Sequence, residues 1–153
     1  GPQGLPVNRT AGAAGVLTSA ADDAYRLSIV RGNRVVALSA TDLARLPQRT
    51  VRLPIACVEG WSVSAEWSGV VLRDLVGLVG GDPDRGARMV SLERGPYGVS
   101  DIPAVQTRDE LTLIALRLNG ERLDMDHGYP CRLIAPNLPG VMQTKWLSRI
   151  EVR

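Results

Sequence analysis

The stretch NGERLDMDHGYPCRLIAPNLPGVMQTKW, Asn119 to Trp146, decides the fold. Asn119-Gly120 is the kind of pair that closes a two-residue hairpin, because both residues tolerate positive φ. It follows an apolar, β-branched run over residues 111–118. Asp126-His127-Gly128-Tyr129-Pro130 is a turn, after which residues 131–135 have the length and composition of a second strand. Pro136-Asn137-Leu138-Pro139-Gly140 is a loop whose backbone donors can surround an anionic group. Lys145-Trp146 then leads into a last strand over residues 148–152.

Outward from this stretch the same texture holds. Tyr25-Arg26-Leu27-Ser28-Ile29-Val30 alternates as a strand, turns at Arg31-Gly32-Asn33-Arg34, and returns through Val35-Val36-Ala37-Leu38. Ser39 or Thr41 can cap a short helix through Leu43 and Leu46, stopped before Pro47. Residues 50–57 form an apolar strand in which Pro54 permits only an edge or a bulge. Leu72, Leu75, Val76 and Val79 share one helical face, and Gly80-Gly81-Asp82-Pro83 ends that helix. Residues 89–92 add another strand. The first 24 residues, rich in Ala, Gly and Thr, show no sustained period and read as an extended N-terminal arm. Strands outnumber helices and lack regular crossover helices, so the expected class is α+β in one domain over residues 1–153, and a doubly wound parallel sheet is excluded.

Composition bounds the function. At 153 residues, 44% apolar and 22% charged, the chain has the makeup of an ordinary globular domain. A net charge of +2, with no basic-aromatic clusters, argues against nucleic acid as a partner. Cys57 and Cys131 form no CxxC pair and have no histidine at zinc-ligand spacing. The basic residues are nearly all arginine, which makes Lys145, the single lysine, conspicuous.

Read singly, the unusual residues have ordinary explanations. Cys57 ends an apolar strand and has the character of a packed core thiol. His127 is a turn residue, Tyr97 a loop tyrosine between turn formers, and Lys145 the entry to a strand. A Cys57–His127 hydrolase pair has no local support for an oxyanion hole.

In order, however, these residues form a pattern. Cys57-Val58-Glu59-Gly60-Trp61-Ser62, Trp67-x-Gly69-Val70-x-Leu72-x-Asp74-Leu75, Tyr97-Gly98-x-Ser100-x-Ile102-Pro103, Asn119-Gly120, Asp126-His127-Gly128-x-Pro130-x-Arg132 and Lys145-Trp146-Leu147 resemble the molybdopterin-binding domain of the sulfite oxidase family. The resemblance implies a fold of mixed and antiparallel β-sheet layers with a few short helices. It implies a molybdenum-molybdopterin cofactor, with Cys57 as the protein thiolate on the metal; a soft sulfur ligand suits a redox-active centre. Tyr97 is then a hydroxyl donor at the open side of the metal, and Glu59 a carboxylate beside it. Arg132, Lys145, Gly140 and Gln143 are expected to hold the pterin and its phosphate. His127 is expected to brace the pterin-binding turn, and Asn8 with Arg9 to close the cofactor from the other side.

The departures bear on substrate. Sulfite oxidases proper carry Asn-Arg-Arg after the cysteine, where Gly60, Trp61 and Ser62 stand here, and the arginine expected ahead of Leu5-Pro6-Val7 is missing. The Cys-Val-Glu-x-Trp-Ser form looks like the periplasmic methionine-sulfoxide reductase catalytic subunits, whereas the Asp126-to-Trp146 region looks like the sulfite oxidases. The expected activity is oxygen-atom transfer on a small S- or N-oxide or sulfite-like molecule, with an external haem or quinone protein exchanging electrons. The expected setting is extracytoplasmic, with a membrane anchor outside this sequence. The alternative is a non-catalytic binding module that keeps the fold without the cofactor.

Overall fold

A computed structural model describes residues 1–56 and 62–153; for 55, 56, 62 and 63 it describes the backbone alone. Cys57 and Glu59 lie outside the described residues.

Two sheets carry the structure. The first runs in the order β2-β1-β10-β5-β6, built from β1 (Leu27–Arg31), β2 (Arg34–Leu38), β5 (Ala87–Ser91), β6 (Val99–Ile102) and β10 (Leu147–Val152). The second runs β3-β4-β7-β8, with β9 also paired to β7. Its members are β3 (Arg49–Ala56), β4 (Ser62–Val71), β7 (Leu113–Leu118), β8 (Glu121–Arg122) and β9 (Arg132–Ile134). Among the pairings only β1 with β10 is parallel. The β1–β2 hairpin and the Asn119-Gly120 turn, with φ of 52° and 81°, stand where local sequence places them. β3 is an edge strand, which is where Pro54 can sit without breaking a ladder on both sides.

Among the described residues, short α-helices accompany the sheets: α1 (Ala11–Ala14), α2 (Leu17–Ala21), α3 (Ala40–Arg45), α4 (Leu72–Leu78) and α5 (Ala104–Thr107). Ser39 caps α3 in a reciprocal box with Asp42. The apolar face of α4 is buried at Leu72, Leu75 and Val76.

Where the end of β4 meets β7 and β9, the second sheet is buried on both faces, and strand alternation assigns each side chain there its core. Ile114 and Leu133 join Leu27, Ile29, Leu75, Met89 and Ile150 in the core shared with the first sheet and α4. Leu113, Ala115 and Ile134 point the other way and meet Trp67, Leu118 and Leu5. On β9 and the residue before it, Cys131 therefore lies with Leu133 in the main core, and Arg132 lies on the opposite face, its guanidinium 5.0 Å from the Trp67 ring. Cys131 is a free, fully buried thiol whose acidity burial pushes away from neutrality, to about 12.

The N-terminal segment corrects the sequence reading. Instead of an extended arm it holds a 3-10 turn, Pro2–Gly4, followed by α1 and α2. Thr10 caps α1 by accepting from Ala13 N at 3.1 Å. Helices of four and five residues are too short to display a 3.6-residue period, so their signal in the sequence is only small residues and a cap. Ala11, Val16 and Ala20 are buried against Trp146 in a third cluster.

Candidate cofactor site

Four segments meet at one corner: the N-terminal segment, the loop after β5, the 3-10 turn Met125–His127, and the bend before β10. Gly128 shows how tightly they meet. Its φ is +109°, and an added Cβ would lie 3.0 Å from Arg132 Cβ and 3.1 Å from Lys145 Cβ. The stems of the two cations thus lie against one glycine, which only glycine permits at this conformation.

Arg132 is 6% exposed. Its fork donates to the carbonyls of Leu133 (3.4 Å), His127 (3.3 Å) and Gln143 (3.1 Å), so it ties the turn before β9 to the loop after it. Gln143 completes that tie: its Oε1 accepts from Ala135 N at 3.1 Å and its Nε2 donates to Leu138 O at 3.0 Å. Gly140 begins the 3-10 turn Gly140–Met142 inside the same loop. His127 Nε2 donates to Pro2 O at 2.7 Å, which fixes the imidazole tautomer and joins the turn to the N-terminal segment.

Lys145 is half-buried. Its Nζ donates to Arg9 O at 2.6 Å and Asp126 O at 2.8 Å and lies 4.6 Å from the Trp146 ring. An ammonium has three donors, so these two bonds leave one N–H. Burial first, then the nearby Arg132 guanidinium, push Lys145 down to about 8. Burial alone pushes Arg132 down to about 10. His127 is held below its ordinary value by burial first, with both cations adding to it. Among the described residues neither Arg132 nor Lys145 forms an ion pair with a carboxylate; carbonyl dipoles and ring faces are their partners.

The structure therefore brings Arg9, His127, Arg132, Gln143 and Lys145, with the Gly140 loop, into one bonded assembly. Tyr97 stands on the adjoining loop after β5 and is 56% exposed. That loop is closed at its base by Ser91 N donating to Gly98 O at 2.8 Å. Asn8 is exposed beside Arg9. Among the described residues no group of three or more His, Cys, Asp or Glu is placed to hold a metal ion; Cys57 is outside that set.

Three supporting residues escaped the sequence reading. Glu93, 6% exposed, forms an ion pair with Arg9. Asp126 Oδ1 accepts from Ala11 N at 2.8 Å. Trp146 holds a φ of +52°, rare for a bulky residue, and is kept there by its Nε1 donating to Met125 O at 2.7 Å and by Leu92 N donating to its carbonyl at 2.7 Å. Asp126 and Trp146 stood within the Asp-His-Gly and Lys-Trp motifs, without the roles seen here. Glu93 in Glu93-Arg94 reads as a surface charge until the fold buries it.

The donor set fits molybdopterin on its own chemistry. Two cations largely taken out of water side by side, with no direct ion pair to a carboxylate among the described residues and only the longer-range field of Asp126 and Glu93 on Lys145, form a site that gains by admitting an anion, and a pterin carrying a phosphate is such a group. Residues 14–153 match the family described as the oxidoreductase molybdopterin binding domain. The sulfite oxidase of Gallus gallus is 31% identical over 160 residues, covering 84% of this chain and 34% of that protein. The mitochondrial sulfite oxidase of Drosophila melanogaster is 30% identical over 155 residues, covering 84% and 27%. The sulfite oxidase of Arabidopsis thaliana is 38% identical over 112 residues, covering 61% and 28%. The chain thus spans about a third or less of the length of these relatives. The crystal structure of the sulfane dehydrogenase SoxCD from Paracoccus pantotrophus shares the fold, with a TM-score of 0.77 at 23% identity over 98% of this chain and 45% of that one. The chain belongs to the sulfite oxidase-like family of molybdopterin-binding oxidoreductase domains.

Proposed function

We propose that this domain holds a molybdenum-molybdopterin cofactor for oxygen-atom transfer to or from a small S- or N-oxide or sulfite-like substrate. The observation that carries the reading is the pair Arg132 and Lys145, packed against Gly128 with carbonyl and ring-face partners and, among the described residues, no ion pair. The cofactor, when bound, supplies the two-electron redox chemistry. The chain's own residues orient it: Lys145 and Arg132 provide positive charge toward the phosphate, Gln143 and the Gly140 loop shape the wall, and His127 holds the turn. Cys57 is the proposed thiolate on the metal and Tyr97 the proposed donor to substrate, with Glu59 near them.

Substrate charge is the finer part of the proposal. Arg9 is paired with Glu93, which offsets the guanidinium that an incoming anion would use. With Glu59 and without two arginines after Cys57, a neutral oxide is favoured over an anion; each missing charged hydrogen bond is worth roughly 1–3 kcal/mol, or about ten- to a hundredfold in affinity. An external haem or quinone protein exchanges the electrons, on the outer side of the cell membrane, with an anchor outside these residues. That part rests on the likeness of Cys57-Val58-Glu59 to exported reductases.

The test uses protein made in a host that synthesises molybdopterin. Reduction of a neutral sulfoxide with an artificial donor should exceed oxidation of sulfite with an artificial acceptor, and Cys57→Ser should abolish both together with the sulfur-to-metal absorption. Sulfite oxidation with a micromolar KM would overturn the neutral-substrate reading, and full activity in the serine variant would overturn the role of Cys57.

A further inference from the structure

We propose that Glu93 is a positioning residue: through Arg9 it clasps the N-terminal segment onto the cofactor corner, and this clasp governs how long the cofactor stays bound. The inference rests on the molybdopterin reading above, and names a residue and a mechanical element that reading does not require.

The attachments of the N-terminal segment are specific. Gln3 anchors its start on the β7–β8 hairpin, donating to Leu118 O and Arg122 O, both at 3.1 Å. Leu5 is buried in the Trp67 cluster. Beyond Leu5 the polar links run to cofactor-corner elements: Arg9 O accepts from Lys145, Asp126 accepts from Ala11 N, and Arg9 pairs with Glu93. Pro2 O takes the imidazole of His127. The same segment therefore supplies one of the two carbonyls that orient Lys145 and the acceptor that orients His127.

Glu93 is the buried half of the clasp. Its side chain is 5% exposed, that of Arg9 42%. A buried carboxylate demands its cation, so loss of either side chain breaks the pair and releases Arg9 from Glu93. Glu93 is itself fixed from behind: its backbone N donates to Ser91 Oγ at 3.0 Å, and that hydroxyl donates to Lys145 O at 2.7 Å. Glu93 also roots the loop that carries Tyr97. One carboxylate thus couples the N-terminal segment, the Tyr97 loop and the Lys145 backbone. Residues 6–10 bury little apolar surface, so their local opening is set by polar contacts, this pair prominent among them, more than by the core.

The experiment compares cofactor-loaded wild type, Glu93→Gln, Arg9→Gln, which removes the pair from its exposed side, and the exchange Arg9→Glu with Glu93→Arg. Three quantities are read: the rate of pterin release by fluorescence, deuterium uptake by the peptide over residues 8–21, and Tm. Both single variants should release pterin about tenfold faster and take up deuterium about tenfold faster, with Tm lowered by only a few degrees. The exchange variant should recover both rates to within about threefold of wild type. Pterin release at the wild-type rate in both single variants would overturn the clasp, as would an exchange variant no better than the singles, or faster release that follows a matching collapse in Tm. Wild type carrying no pterin would overturn the molybdopterin reading instead, and deuterium uptake would then decide the clasp alone, unchanged uptake refuting it.

Discussion

One pair of cations comes together at the surface and another at the cofactor corner, in opposite ways. On the surface, Arg49 and Arg73 converge on the Glu110 carboxylate at 3.7 and 3.5 Å, with all three side chains at least 43% exposed. At the corner, Arg132 and Lys145 share Gly128, Arg132 buried and Lys145 half-buried, and among the described residues their direct partners are carbonyls and ring faces in place of a carboxylate. The first pair is neutralised and screened by water. The second retains its charge in a setting where charge is expensive to keep. Two cations held side by side away from water without a direct carboxylate partner cost stability, so the comparison separates ion pairs that decorate the surface from charges suited to an anionic group.

The sharpest break of the comparison is Arg132→Ala. It strands three carbonyls that now share one fork and removes the ring contact with Trp67, which should cost about 3–5 kcal/mol in urea unfolding, enough to leave the chain poorly folded. Arg132→Lys should recover little, because an ammonium cannot span three carbonyls held in a planar fork.

Next is Gly128→Ala, which combines a φ of +109° with contacts of 3.0 and 3.1 Å to the two cationic stems. A loss of about 2 kcal/mol in thermal unfolding is expected. A neutral outcome would show that the stems are not packed as described.

A pH series sharpens the comparison without mutation. Folding lowers Lys145 to about 8 from an ordinary 10.5, so between those values the unfolded chain binds the proton that the folded one has released. Unfolding then takes up a proton, and the stability of cofactor-free protein should rise as pH goes from about 8 toward 10.5. Cofactor retention should move the opposite way, falling above about pH 8 as the ammonium loses its charge. Lys145→Met should flatten both trends.

The smallest effect belongs to the surface pair. Glu110→Gln should change stability by at most about 1 kcal/mol, less in high salt, and leave cofactor content unchanged.

Much of the frame was legible because its signals are local. The β1–β2 hairpin, the Ser39 cap, the buried face of α4 and the Asn119-Gly120 turn each depend on residues within a few positions of one another. Two strands were less visible. In β4, Ser64 and Glu66 point out while Ala65 and Trp67 point in, an alternation with weak apolar contrast between Ser and Ala. In β6 the pattern is inverted, with Val99 half exposed and Ser100 buried. At the site, Lys145 and Arg132 stood out by motif. Glu93 did not, because its burial is decided by Arg9, far away in the chain, and no local pattern carries that information.

The central claim is that Arg132 and Lys145, which have no direct carboxylate partner among the described residues, are a cation pair kept for an anionic cofactor. Its most direct test is the molybdopterin content of wild-type protein and of Lys145→Met, purified from the same molybdopterin-synthesising host and normalised to folded protein. Wild type should approach one pterin per chain, and the variant should lose most of it while its cofactor-free form remains at least as stable as wild type. Equal pterin content in the two proteins, or a variant that loses pterin only because it unfolds, would contradict the claim.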